Sequence, residues 1–240
     1  MSGSREGSSL ADRILLSPVT WLITALNLGV FIIVWMRDQS DGFSLSTETL
    51  IAFGASKRYY VQGGEYWRLL TAVFLHGGLV HLAVNTWFMF GWCSAVEKNS
   101  GSGWFAFAYL TTGIGSFAVS VLGKQTSSVG ASGAGFGIIA VVMVLLYRRA
   151  GNWEAFTSDP FVRNTLYLSV IWILAGFFLI RRIDTGAHLG GAVFGVLCGL
   201  VLDQRRGRRR PAWIAALAAY MVLWAGVVVA ACIPGLGLNR

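Results

Sequence analysis

The sequence predicts an all-α polytopic membrane protein, a bundle of six spans followed by one extra carboxy-terminal span. Three observations predict it. Of the 240 residues, 55% are hydrophobic and only 12% are charged, against about 25% charged in an ordinary soluble domain. The mean hydropathy is +0.62. Apolar runs approaching the roughly 20 residues of a bilayer crossing recur along the chain, with arginines gathered at their ends. The formal net charge of +8 therefore reads as loop arginines that set orientation. The lipid bilayer is an expected partner, and nucleic acid is not.

The elements follow in order. Residues 1–17 form a polar tail. The first span covers about residues 19–36 and holds Asn27; no small-residue cleavage pattern follows it, so it is expected to stay in the membrane. Residues 37–67 mix charges with Phe43, Leu50, Tyr59, Tyr60 and Trp67. That stretch is too apolar for a free linker, and short amphipathic helices on the membrane surface are expected there. The second span covers about residues 79–92 and the third about 104–122. The fourth, 133–147, is short for a full crossing. The fifth covers about 165–180 and the sixth 185–202. Five arginines between Arg205 and Arg210 precede the seventh, about 212–233. The chain thus divides into a tail (1–17), a six-span core (18–204), and a basic loop with a further span (205–240). Cys93, Cys198 and Cys232 share no metal-like or disulfide-like spacing. They read as small hydrophobes, and no metal or organic cofactor is expected.

Lysines and arginines set the orientation. With a cytoplasmic amino terminus, 11 fall on inside segments and 8 on outside segments. The arginine cluster after the sixth span fixes that end as inside. The second, fourth and sixth spans then all run inward. His81 lies 17 residues before Lys98, Ser132 lies 16 before Arg148, and His188 lies 17 before Arg205. At 1.5 Å per residue, all three sit about 24–26 Å above the inner interface. They share one level near the outer surface of a hydrocarbon core about 30 Å thick.

Small residues provide the means of approach. Gly133 and Gly137 make one GxxxG pair; Gly191, Gly195 and Gly199 make two more. Such spacing lets helix backbones come close in lipid. Gly191 and Gly195 share the helical face of His188. Ser132 opens the fourth span, where backbone N–H groups are unpaired and the dipole is positive. A helix-opening serine is often a plain cap. Paired at equal depth with a histidine, it reads instead as a nucleophile with its base. His81 and Asn85, four apart, share one face and can donate to an oxyanion. Phe136, one turn after Ser132, is expected to point at the His188 ring. Asp184 reads as a helix-start residue facing the dipole of the sixth span.

In combination these motifs resemble the rhomboid family of intramembrane serine proteases. They are YWR at Tyr66–Arg68, HGGLVHLAVN at His76–Asn85, AVEK at Ala95–Lys98, GASG at Gly130–Gly133 and GAHLGGAVFG at Gly186–Gly195. The resemblance covers about residues 67–202 and implies a six-span rhomboid-like bundle. It implies a catalytic dyad of Ser132 and His188 without an acid. It implies an oxyanion and substrate site formed by the Ser132 N–H, His81 and Asn85, beside Gly130. Trp67 and Arg68 match the structural motif of the large outer loop, and Glu97 the acidic anchor at the inner end of the second span. Phe136 stands where some members carry tyrosine, and the extra span occurs in a subset. The implied activity is endoproteolysis of transmembrane segments, so the expected partners are transmembrane protein substrates. The expected location is a bacterial inner membrane, with the amino terminus cytoplasmic.

Two other functions compete. A catalytically inactive relative that binds membrane proteins would not need both Ser132 and His188. A proton relay would want carboxylates in mid-span, whereas Glu97 and Asp184 lie at span ends.

Overall fold

The computed structural model describes residues 17–38, 40, 43–123, 126–178, 183–207 and 210–235; most of the expected tail lies outside them. Among the described residues the regular elements are helices. Seven are long and apolar enough to cross a membrane: α1 (Pro18–Arg37), α5 (Leu79–Ser100), α6 (Ser102–Gly123), α7 (Ser132–Ala150), α9 (Pro160–Phe178), α10 (Thr185–Gly207) and α11 (Arg210–Cys232). Short helices fill the connections: α2 (Thr47–Ala52), α3 (Arg58–Gln62), α4 (Arg68–Thr71) and α8 (Trp153–Ser158). The chain is an integral, multi-pass, all-α protein.

Burial ranks the spans. α6 is 67% buried, α10 61% and α7 50%, whereas α9 and α11 are 11% each. The centre is therefore α6, α7 and α10. The most extensive contact is α7 against α10, and its cause is the glycine spacing. A Cβ at Gly191 would strike the Gly133 carbonyl, and one at Gly195 the Gly137 carbonyl. A Cβ at Gly199 would lie 3.2 Å from Val141 Cα. Three successive turns of α10 thus lie backbone-to-backbone on α7.

The segment before α5 is a folded layer. Leu45, Leu50, Ala55 and Leu75 join Phe31 and Val34 of α1 and Leu82 of α5 in one apolar cluster. Asp38 ties the layer to the end of α1, accepting from Ser40 N at 3.1 Å and from Ser46 N and Oγ at 2.9 and 2.6 Å. Bonds from Ser40 first, then Ser46, hold its carboxyl well below the usual carboxylate range. Arg58 donates to the Val121 and Leu122 carbonyls, both at 2.6 Å, and so caps α6.

The seventh span is stitched to the core. Tyr220 donates from its hydroxyl to Thr111 Oγ1 at 2.6 Å, and Trp224 Nε1 donates to the Thr111 carbonyl at 2.7 Å. Several helix limits differ from the apolar runs. α5 continues past residue 92 to Ser100, and α9 begins at Pro160 rather than near 165. The fourth span is longer than its run: α7 has 19 residues, a length of about 28 Å.

The close approach is testable. Gly195→Ala forces a methyl onto the Gly137 carbonyl and is expected to cost about 1–3 kcal/mol, lowering the melting temperature in detergent. Gly91→Ala on α5 meets nothing within 4 Å and is expected to be neutral or stabilising. Equal melting of both variants would rule out backbone contact between α7 and α10.

Candidate active site

The glycine contact sets the distance between the two helices that carry Ser132 and His188. Ser132 is the first residue of α7, and His188 lies in the first turn of α10. Their side chains meet: His188 Nε2 and Ser132 Oγ are 2.9 Å apart. The Ser132 hydroxyl can donate only to an unprotonated Nε2, which puts the imidazole proton on Nδ1. Nδ1 is buried and has no hydrogen-bond partner among the described residues. Phe136, one turn along α7, stacks on the ring at 4.4 Å between centroids and 20° between planes. The residue preceding α7 is Ala131, with no side-chain cap bond. The serine hydroxyl is therefore engaged with histidine and does not cap its own helix.

The approach to Ser132 is fixed from the layer that precedes α5. Ser56 and Ser128 exchange backbone hydrogen bonds at 3.0 and 2.7 Å, and Gly130 N donates to the Ala72 carbonyl at 2.9 Å. Gly130 has φ +126°, in the region that favours glycine. A Cβ there would also lie 2.8 Å from His81 Cε1 and Nε2. Gly130 thus lets the chain pass between the His81 ring and Ser132.

His81 Nδ1 accepts from Gly77 N at 3.3 Å. That bond leaves the proton on Nε2, making Nε2–H a donor on the side facing Gly130. Asn85 is buried, and its Nδ2 donates to the His81 carbonyl at 2.9 Å. One amide proton serves the helix; the other is not used in that bond. His76 is fully buried, its ring 5.3 Å from that of His81. Burial first, then the neighbouring His81, pushes its pKa down to about 3.

Three supporting residues lie away from this cluster. Arg68 is buried; it donates to the Ile51 carbonyl at 2.6 Å and the Ala55 carbonyl at 3.3 Å, and pairs with Glu65 at 2.8 Å. The Tyr60 and Trp67 rings flank its guanidinium at 4.5 and 4.7 Å. Arg68 and Trp67 thus lock the layer that precedes α5. Glu97 lies within α5, and its carboxylate serves two helix starts. It accepts from Val19 N at 2.9 Å, from Thr20 N and Oγ1 at 2.8 Å each, and from Ser102 Oγ at 2.7 Å. Among the described residues no cluster of three or more metal-ligating side chains occurs.

The rhomboid domain family model matches residues 63–205, more than half of the chain. The chain belongs to the rhomboid family. It is 37% identical over 184 residues to Rhomboid protease GluP of Bacillus subtilis (strain 168), covering 76% of this chain and 34% of that protein. It is 34% identical over 163 residues to RHOMBOID-like protein 5 of Arabidopsis thaliana, covering 67% and 52%. It is 28% identical over 227 residues to Rhomboid-like protease 1 of Toxoplasma gondii, covering 91% and 75%. The chain thus spans about a third of the first of these relatives and about half of the second.

Two contributors to this rhomboid site were not singled out in the sequence. Gly77 sets the His81 tautomer, and only its place four residues before His81 hints at it. Ser120 on α6 bonds Asp184 beside the first turn of α10. Its signal is the series Thr112, Ser116, Ser120, small polar residues every fourth position on an apolar span.

The Glu97 contacts give a stability prediction. Glu97→Ala leaves the buried Thr20 N–H without its acceptor and is expected to cost about 3 kcal/mol. Glu97→Gln keeps one acceptor oxygen and is expected to cost about half as much. Thermal melts in detergent check this, and an unchanged melting temperature for the alanine variant would remove Glu97 from the framework.

Proposed function

We propose that this rhomboid is an intramembrane serine endopeptidase that cleaves transmembrane segments of membrane proteins with the dyad Ser132–His188. The single observation that carries this reading is the 2.9 Å contact between Ser132 Oγ and His188 Nε2. His188 Nε2 takes the hydroxyl proton as Ser132 Oγ attacks a peptide carbonyl. The tetrahedral oxyanion then forms at the start of α7. There the Ser132 N–H, His81 Nε2–H and the second Asn85 amide proton are its donors. The imidazolium returns its proton to the departing amine. Water, activated by His188 in turn, releases the acyl group. The roles of Phe136 in stacking His188, of Gly130 in opening the cleft, and of Trp67, Arg68 and Glu97 in holding the framework belong to the same reading.

The substrates are transmembrane proteins whose spans can unwind near the outer end, reaching the site between α5 and α9. The protein lies in a bacterial inner membrane with its amino terminus in the cytoplasm. The distribution of basic residues, 11 inside against 8 outside, supports that orientation.

Detergent-purified protein incubated with a generic transmembrane substrate tests the dyad. Ser132→Ala and His188→Ala are each expected to abolish detectable cleavage with the fold intact. The double variant is expected to be no worse than either single one, because such residues act as a unit. A fluorophosphonate is expected to label the wild type and not Ser132→Ala. Substantial turnover by Ser132→Ala would end the protease reading and favour an inactive, membrane-protein-binding relative.

The oxyanion donors make a second test. Asn85→Ala is expected to lower kcat about 10²–10³-fold while fluorophosphonate labelling persists. Full activity of both Asn85→Ala and His81→Ala would reduce these residues to packing.

A further inference from the structure

Asp184 stands one turn before His188, where a triad acid would be sought. Its contacts point elsewhere. Oδ1 accepts from Ala187 N at 3.0 Å, capping the first turn of α10. The other oxygen takes a short hydrogen bond from Ser120 Oγ on α6. The Asp184 main-chain carbonyl accepts from His188 N at 3.1 Å. A triad aspartate would accept from imidazole Nδ1–H, yet His188 Nδ1 has no partner among the described residues.

The first turn of α10 therefore lies on α6, fastened at its start. A Cβ on Gly186 would lie 3.6 Å from Ser120 Cα, and one on Gly190 2.7 Å from Val119 Cβ. From the other side the end of α9 leans on the same turn. A Cβ on Gly176 would strike Thr185 Oγ1 and Ile183. α9 is 11% buried and α6 67%, so the turn that carries His188 lies between a loosely packed span and the most buried one.

We propose that Asp184 is a positioning residue: by binding Ser120 on α6 and the first turn of α10 together, it holds the His188 ring in line with Ser132 Oγ independently of α9. This rests on the dyad reading above. The device works through acceptor geometry, not through a charge on the imidazole. A displacement of about 1 Å at a reacting group is enough to cost about 10²-fold in rate. Asparagine keeps an acceptor oxygen for Ala187 N–H and a polar partner for Ser120. Serine still caps the helix but is too short to bridge to α6, and alanine does neither.

The test uses the full chain in detergent, with kcat, KM, the rate of fluorophosphonate labelling and the melting temperature as readouts. Asp184→Asn is expected to stay within about tenfold of wild type, far from the triad cost of about 10⁴. Asp184→Ser and Ser120→Ala are expected to lower kcat and labelling rate together by about 10²-fold with KM unchanged. Asp184→Ala is expected to do the same and to melt earlier; the serine variant keeps the cap should alanine fail to fold. Wild-type labelling by Asp184→Ser and Ser120→Ala would overturn the inference while leaving the dyad standing. A loss of about a thousand-fold or more in Asp184→Asn at unchanged melting temperature would also overturn it, in favour of a triad. A wild type that neither cleaves nor labels would overturn the dyad reading and this inference with it.

Discussion

The rest of the structure depends on the contact of bare backbone between α7 and α10. In lipid there is little hydrophobic drive between helices, because the tails are as apolar as the side chains. What remains is dispersion, which falls off steeply with separation. Gly191 and Gly195 remove the side chains that would hold α10 off the α7 backbone, while Gly133 and Gly137 remove those that would hold α7 off Ser116 and Thr112 of α6. The consequence is chemical as well as structural. A serine at the start of α7 and a histidine in the first turn of α10 fall within hydrogen-bond reach because the axes lie so close. Had Gly191 and Gly195 been alanine, their methyl groups would have struck the Gly133 and Gly137 carbonyls, and the 2.9 Å contact would have no helix geometry to produce it.

A second constraint is that polar groups taken from water must find partners. Several charged side chains in this bundle are taken up by backbone groups, mostly at helix ends. Glu97 serves the starts of α1 and α6, Arg58 the end of α6, and Asp184 the start of α10. Arg68 serves the carbonyls of Ile51 and Ala55. The histidines keep unused valence: His81 has an Nε2–H facing Gly130, and His188 has a buried Nδ1 without a partner among the described residues.

The spans, the glycine face of α10 and the approach of Ser132 to His188 were legible in the sequence. Each follows from local periodicity or from distance to a basic marker along one helix. The ends of helices were less legible. The apolar run of the second span stops at Trp92, but α5 continues to Ser100. Glu97 can continue that helix because its carboxylate is met by the N–H groups of Val19 and Thr20, 78 and 77 residues away. At α9, Arg163 and Asn164 interrupted the apolar pattern, although Asp159–Pro160 is a helix-start signal. Asp159 Oδ1 indeed accepts from Phe161 N. Ser120 escaped notice for the same reason as the Glu97 partners. Its meaning comes from Asp184, 64 residues on, and no local pattern carries that.

The two outermost spans show how such differences bear on motion. α9 and α11 are equally exposed, yet they are held by different forces. α11 is fixed to α6 by the Tyr220 and Trp224 hydrogen bonds to Thr111. α9 meets its neighbours through apolar and aromatic surfaces. Phe161 stacks on Trp92 of α5 at 4.7 Å, and Val162 packs with Ile139, Met143 and Phe156. Stacked rings are worth about 0.5–1.5 kcal/mol beyond their area, and a lipid tail or a substrate helix can replace the dispersion they lose. A buried hydrogen bond broken in hydrocarbon leaves a donor and an acceptor that lipid cannot satisfy. Separation along α9 therefore costs less per unit of surface than separation along α11. The face of the bundle with the weaker attachment is the one between α5 and α9, and α5 is the helix that carries His81 and Asn85.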